Sequence, residues 1–146
     1  MVEDYKKRGM ELFNSKDFIS AIYFFTKAIK FDTEDAELFH YRGISKFNLK
    51  QYSEAIIDFN KVVDIDPYYE DAYYYRGTAK YYLEDYINSI EDFDKVIKIN
   101  PRNANAFCNR GLVKNSLNDK DGACDDLNKA GHLGLNGAFD LLKQIK

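Results

Sequence analysis

Few side chains in this 146-residue chain have the types and spacing that chemistry needs. The histidines, His40 and His132, stand apart, and neither sits in an H-E-x-x-H pattern that would aim two imidazoles at a metal. No phosphate-cradling glycine loop and no nucleophile elbow is present. A general base needs a partner that positions it, and His40 has none in sequence, so it reads as a polar surface contact. Cys108 and Cys124 fit neither a C-x-x-C motif nor a zinc spacing and read as reduced, half-buried thiols of a cytoplasmic protein. One element does recur: Arg-Gly at 8–9, 42–43, 76–77 and 110–111. A ladder of guanidinium groups is a phosphate or nucleic-acid reader in principle.

The composition argues against that use. The net charge is −3 and the pI about 5.4, so no global basic field draws in nucleic acid. Hydrophobic residues make up 45% and charged residues 31%, ordinary for a folded soluble chain. No run approaches the ~18 apolar residues of a membrane span, and the start, MVEDYKKRGM, does not resemble a signal peptide. These features imply no enzyme, no cofactor, no nucleic acid and no membrane.

The Arg-Gly spacing is 34 each time (43 − 9, 77 − 43, 111 − 77), the mark of a stacked array. With Val2, Ala36, Glu70 and Ala104 as position 1, position 4 is Tyr5, Phe39, Tyr73, Phe107 and position 8 is always glycine. Position 17 is Phe18, Tyr52, Tyr86, Lys120; position 20 is Ala21, Ala55, Ser89, Ala123; position 24 is Phe25, Phe59, Phe93, Leu127. Position 32 holds the chain's two prolines, Pro67 and Pro101, expected to end the second helix of each unit, with Thr33 in the first unit. Positions 4, 8 and 11 share one face of a first helix, A; positions 17, 20, 21, 24 and 28 share a face of a second, B. Glycine at 8 and a small residue at 20 let the two backbones approach. The expected units are about 2–35, 36–69, 70–103 and 104–136, followed by a capping helix over 137–146. The whole is read as one domain.

These columns resemble the tetratricopeptide repeat. The resemblance implies an all-α fold, a right-handed α-solenoid of four helix-turn-helix units plus the C-terminal capping helix. It also implies a role in binding other proteins. The chain departs from the family pattern at position 7, which is Arg8, Arg42, Arg76 and Arg110. Position 11 is Leu12, Lys46, Lys80, Lys114, and position 23 is Phe24, Asp58, Asp92, Asp126. Lysine at 11 accompanies aspartate at 23, and an apolar residue at one accompanies an apolar residue at the other. This predicts that the two positions touch, with the arginine able to share the aspartate, on an outward face of B. As partly exposed pairs they would contribute about 0.2–1 kcal/mol each.

In a stacked array the A helices line the concave side, so their remaining faces form a groove. The candidate partner-binding residues are Lys6, Met10 and Phe13 from the first unit, and Glu37, His40, Tyr41, Ile44 and Phe47 from the second. The third gives Asp71, Tyr74, Tyr75, Thr78, Tyr81 and Tyr82, and the fourth Asn105, Asn109 and Leu112. Tyr73 and Tyr86 are assigned to the core. Tyr41, Tyr75 and Tyr82 are expected to be open enough to truncate at little cost; rings packed between A helices are the competing reading. Rings with polar tips suit a protein interface. Family members that hold the acidic tails of heat-shock chaperones do so with Lys, Asn, Asn, Lys and Arg. Here the corresponding residues are Lys6, Met10, Tyr41, Asp71 and Tyr75, or His40, Ile44, Tyr75, Asn105 and Asn109. The chaperone-tail reading is disfavoured. The expected partner is a peptide segment with apolar side chains and some positive charge, bound by a monomer; the alternative is a structural or self-assembly segment of a larger protein.

Overall fold

The structure is a computed structural model that describes residues 1–145. Among these residues it has nine α-helices and no strand: α1 Val2–Asn14, α2 Phe18–Phe31, α3 Ala36–Asn48, α4 Tyr52–Ile65, α5 Glu70–Tyr82, α6 Tyr86–Ile99, α7 Ala104–Ser116, α8 Lys120–His132 and α9 Gly137–Ile145. Odd helices from α1 to α7 are the A helices and even ones the B helices. The last residue of the expected cap, Lys146, lies outside the described residues.

Packing runs between neighbours: α1 with α2, α2 with α3, and so on to α8 with α9. A helices also touch the next A helix along, as α1·α3, α3·α5 and α5·α7, whereas among the described residues no comparable contact joins successive B helices. Elements that are closer together on one side of a stack form its concave face. The A helices therefore line the inside of the curve.

The close approach at position 8 is visible directly. A Cβ built on Gly9 would stand 2.6 Å from the Phe25 ring, and one on Gly43 would stand 2.8 Å from Phe59. Phe25, Phe59, Phe93 and Leu127 at position 24 are fully buried, as are Ala21, Ala55, Ser89 and Ala123 at position 20. Glycine inside a helix costs about 1 kcal/mol of propensity, and here it makes room for a ring. Ser89 is reconciled with the core because its hydroxyl donates to the Gly77 carbonyl at 2.7 Å. At position 4, Tyr73 is buried with its hydroxyl donating to the Pro67 carbonyl at 3.0 Å.

Two expectations about helix ends and faces need correction. Proline at 32 is not what stops a B helix, because α2 ends at the same position as α4 and α6 while carrying Thr33. The shared device is one residue earlier: Asp32, Asp66 and Asn100 each accept from the backbone N–H two residues on, at 3.0, 3.0 and 3.1 Å. Such a side-chain turn satisfies the backbone where the helix stops. On the B face, position 27 (Ala28, Val62, Val96, Ala130) is fully buried, whereas Ile29, Val63 and Ile97 at position 28 are half-buried.

Each unit also buries residues against its predecessor. Position 3 is Leu38, Ala72 and Ala106, all without exposure, and position 10 is Ser45, Ala79 and Val113, at 2% or less. On α1, which has no preceding helix pair in this chain, the same positions are the exposed Asp4 and Glu11. The other end is covered by α9, which buries Ala138 and Leu142 and lays Phe139 over Gly131, where a Cβ would collide with the ring.

The charged columns are internal, contrary to the expected outward face. Asp58, Asp92 and Asp126 are 1%, 4% and 4% exposed. Each accepts a two-pronged bond from the arginine of its own unit. The Nε and Nη2 distances are 2.9 and 2.6 Å for Arg42–Asp58, 3.0 and 2.7 Å for Arg76–Asp92, and 2.8 and 2.7 Å for Arg110–Asp126. Lys46, Lys80 and Lys114 approach the same carboxylates at 3.0 Å, so the inferred contact between positions 11 and 23 is present. The third arginine nitrogen reaches back to position 25 of the preceding B helix: Thr26 at 3.2 Å, Asn60 at 2.9 Å and Asp94 at 2.8 Å. One guanidinium therefore ties three helices. Its plane also lies over the position-4 ring, 5.3–5.6 Å from the centroid. In the first unit, where Phe24 replaces the aspartate, Arg8 is over half exposed and pairs with Glu11 at 3.2 Å.

Candidate functional site

The concave face is not one even groove. In the second and fourth units position 5 lies beneath it: His40 is 3% exposed and Cys108 7%. The His40 ring packs against Tyr41, Phe59, Tyr69 and Tyr75, with centroids 4.7–6.1 Å away. Its Nδ1 has no hydrogen-bond partner among the described residues, and burial pulls its pKa down to about 4, only partly opposed by Glu37. The reading of His40 as a surface polar contact gives way to a neutral imidazole inside the stack. Ile44 is also buried, at 7%. Neither side chain is open to a partner in this structure.

Tyrosines at position 6 fill the junctions between units. Tyr41 meets Phe13 edge-on at 5.2 Å and stacks on Phe25 at 6.3 Å. Tyr75 repeats this one unit along, edge-on to Phe47 at 5.5 Å and stacked on Phe59 at 6.0 Å. Both are half-buried rings between A helices, so the expectation that they can be truncated cheaply is revised. Tyr82 is different. It is 55% exposed and lies flat on Tyr52, at 4.8 Å and 15° between planes. Tyr75→Ala is accordingly expected to cost about 3 kcal/mol or more of stability, and Tyr82→Ala about 1 kcal/mol or less, because its pairs with Phe47, Tyr52 and Tyr81 are made by a ring that is more than half exposed. Urea melts of the two variants measure the difference, and equal costs would contradict the assignment.

Lys6 is engaged, donating to Asp35 at 2.8 Å and Glu37 at 2.9 Å across the first junction. Although burial works the other way, the two carboxylates hold its pKa above the ordinary lysine range. Glu37 is correspondingly offset as a source of negative charge. Asp71 and Asn105 are exposed, and no cation pairs with Asp71 among the described residues. Met10 and Phe13 are half-buried in the cluster around Phe25.

The remaining candidates converge. Phe47, Tyr74, Tyr75, Thr78, Tyr81, Tyr82, Asn109 and Leu112 line one open cleft of about 400 Å³, floored by Phe93 and Val113. That volume falls within the range of ligand-sized pockets. Tyr74 forms part of its wall, packing edge-on to Phe93 at 5.9 Å while its hydroxyl accepts from the Asn109 amide at 2.9 Å. Burial comes first among the causes that raise the Tyr74 and Tyr75 phenol pKa values, so both hydroxyls stay protonated. The cleft presents apolar ring faces with a few hydroxyl and amide groups. It offers binding by shape and hydrogen bonding. Phe93 escapes a sequence search for the site because it sits on a core column, and Val113 because position 10 falls outside the faces that the helical wheel assigns. Among the described residues, no group of three His, Cys, Asp or Glu side chains is arranged to hold a metal, and no helix is long and apolar enough to cross a membrane.

Residues 36–69 and 70–103 each match the tetratricopeptide repeat family, over two successive helix pairs. These two helix pairs are tetratricopeptide repeats. Solved structures share its fold along most of its length. MamA from Desulfovibrio magneticus RS-1 is 19% identical, with 99% of this chain and 88% of that one covered and a TM-score of 0.88. The first TPR of Spaghetti (RPAP3), bound to the HSP90 peptide SRMEEVD, is 26% identical over 80% of this chain and 92% of that one, with a TM-score of 0.77. The Arabidopsis OM64 TPR domain is 27% identical over 78% and 94%, with a TM-score of 0.76. No curated protein matches the sequence. Tetratricopeptide repeats generally mediate protein–protein interaction and are typically non-enzymatic scaffolds.

Proposed function

We propose that this repeat protein is a cytoplasmic interaction module, without catalytic activity of its own, that binds a segment of a partner protein along the concave face. The four helix pairs and α9 act together as one binding domain. The observation that carries the reading is the aromatic cleft between α5 and α7, open on the side that the A helices line. A partner with apolar side chains and some positive charge suits it, because Asp71 is exposed beside the rings and has no paired cation among the described residues.

An acidic chaperone tail suits it poorly. Spaghetti's first TPR is bound to SRMEEVD, but here Lys6 is already held by Asp35 and Glu37, and Asp71 has the wrong sign for a carboxylate. The chain is expected to act as a monomer at micromolar concentration, since α9 covers the face of the last repeat.

The test is a photo-cross-linking amino acid placed at Tyr82 on the concave side, and separately at Ile57, which is 67% exposed on a B helix. Expressed in the native cell, the Tyr82 derivative is expected to give discrete protein adducts and the Ile57 derivative none. Adducts from Ile57 alone would place the working surface on the B helices and overturn the proposal.

A further inference from the structure

The cleft has a structural explanation in the array itself. At the first two junctions a tyrosine at position 6 fills the space between the position-12 ring and the position-24 ring of the preceding unit. Tyr41 does so against Phe13 and Phe25, and Tyr75 against Phe47 and Phe59. At the third junction the same two walls are present as Tyr81 and Phe93, but position 6 is Asn109. The amide is shorter than a phenol ring, and the open cleft is what its shortness leaves. We infer that this cleft is a seat for a tyrosine-sized aromatic side chain of a partner protein, which takes the place that Tyr41 and Tyr75 take at the other junctions.

Two further features fix the partner's chemistry. Asn109 and Tyr74 already form a hydrogen bond at the edge of the seat, so a phenol hydroxyl arriving there meets both a donor and an acceptor. Asp71, exposed and with no cation paired to it among the described residues, stands one helical turn before Tyr74 and Tyr75. A lysine or arginine flanking the partner's ring would face it. The occupant is thus a tyrosine or phenylalanine in a basic segment. The inference rests on the concave-face reading above and sharpens it.

The probe is 4-methylphenol, the tyrosine side chain cut at Cβ, titrated into the full chain with labelled methyl groups. Saturable shifts are expected at Leu112 and Val113 in the native chain and in Asn109→Ala. In Asn109→Tyr, which fills the seat from within, affinity is expected to fall at least tenfold while the melting temperature stays at or above that of the native chain. If Asn109→Tyr folds poorly, Leu112→Phe narrows the cleft from the other wall and must show the same loss. A basic peptide, Lys-Ala-Tyr-Ala-Lys, is expected to bind more tightly than its aspartate counterpart, with the preference reversed in Asp71→Lys.

Shifts that do not saturate, or equal binding by Asn109→Tyr and the native chain, would overturn the inference. So would a native dimer that Asn109→Tyr makes monomeric, since the ring would then come from a second copy. A seat that binds the phenol while cross-linking at Tyr82 finds no partner would sink the interaction reading and leave the seat standing. Partner adducts from Tyr82 with no phenol binding would do the reverse.

Discussion

Replacing Asp92 by alanine is expected to destabilise the protein by about 3–5 kcal/mol, the cost of removing one partner from a buried charge group. The carboxylate is 4% exposed and takes three charged donors, two from Arg76 and one from Lys80. Without it, two cations remain that are themselves only 15% and 18% exposed. Total stability of a domain this size is about 5–15 kcal/mol, so the single change would consume much of it. The first repeat shows what a neutral version needs, with Leu12 and Phe24 at the two positions and Arg8 turned out to Glu11. Lys80→Leu with Asp92→Phe should therefore recover only part of the loss, because Arg76 stays stranded. Adding Arg76→Met should recover most of it. Urea denaturation of the series measures this, and a single-variant cost below about 1 kcal/mol would mean the group behaves as a surface ion pair.

The second large effect is acid destabilisation through His40. Its folded pKa, about 4, lies below the ordinary value of 6.5 because burial disfavours the imidazolium. Above pH 6.5 both folded and unfolded states are neutral there, and the group contributes no pH dependence. As pH falls through 6.5 the unfolded chain takes up a proton that the folded chain refuses, so stability drops until the folded imidazole also titrates near pH 4. Each pH unit between the two values is worth about 1.36 kcal/mol, so the loss amounts to about 3 kcal/mol. His40→Phe should remove this component, since Tyr74 shows that the equivalent position accepts a larger ring. It should also relieve the unpartnered Nδ1. Stability curves at pH 7 and pH 4.5 for both chains are the check. An equal acid loss in His40→Phe would mean that other groups carry it.

Much of the architecture is legible in the chain because a 34-residue period aligns it with itself. The Gly-8 against ring-24 contact and the small residue at 20 follow from that alignment, and so does the coupling of Lys80 with Asp92; α9 is legible from the helical spacing of Ala138, Leu141, Leu142 and Ile145. What the sequence hides is how wide each buried arc is. An A helix such as α3 touches α1, α2, α4 and α5, whereas a helical wheel assigns it one packed side. The wheel therefore passes over Leu38 and Ser45 and puts His40 on the surface. Charge alone makes Asp58 read as exposed; only the three facing donors make its burial tolerable. The candidate groove residues sort by the same rule. Tyr41 and Tyr75 are drawn into the junctions by the rings around them, while Tyr74, Tyr81 and Tyr82 remain around a cleft because Asn109 does not fill it.

The most direct test of the concave-face account is a binding titration with the partner captured through Tyr82, run on four variants whose melts are measured in parallel. Tyr82→Ala and Asp71→Lys are expected to weaken binding at least tenfold, since a ring at an interface centre often contributes about 2 kcal/mol or more, while their melting temperatures stay close to the native value. Ile57→Ala and Ile87→Ala, on the outer surface of the B helices, are expected to bind as the native chain does. Binding lost in the two isoleucine variants and unchanged in the first two would contradict the account.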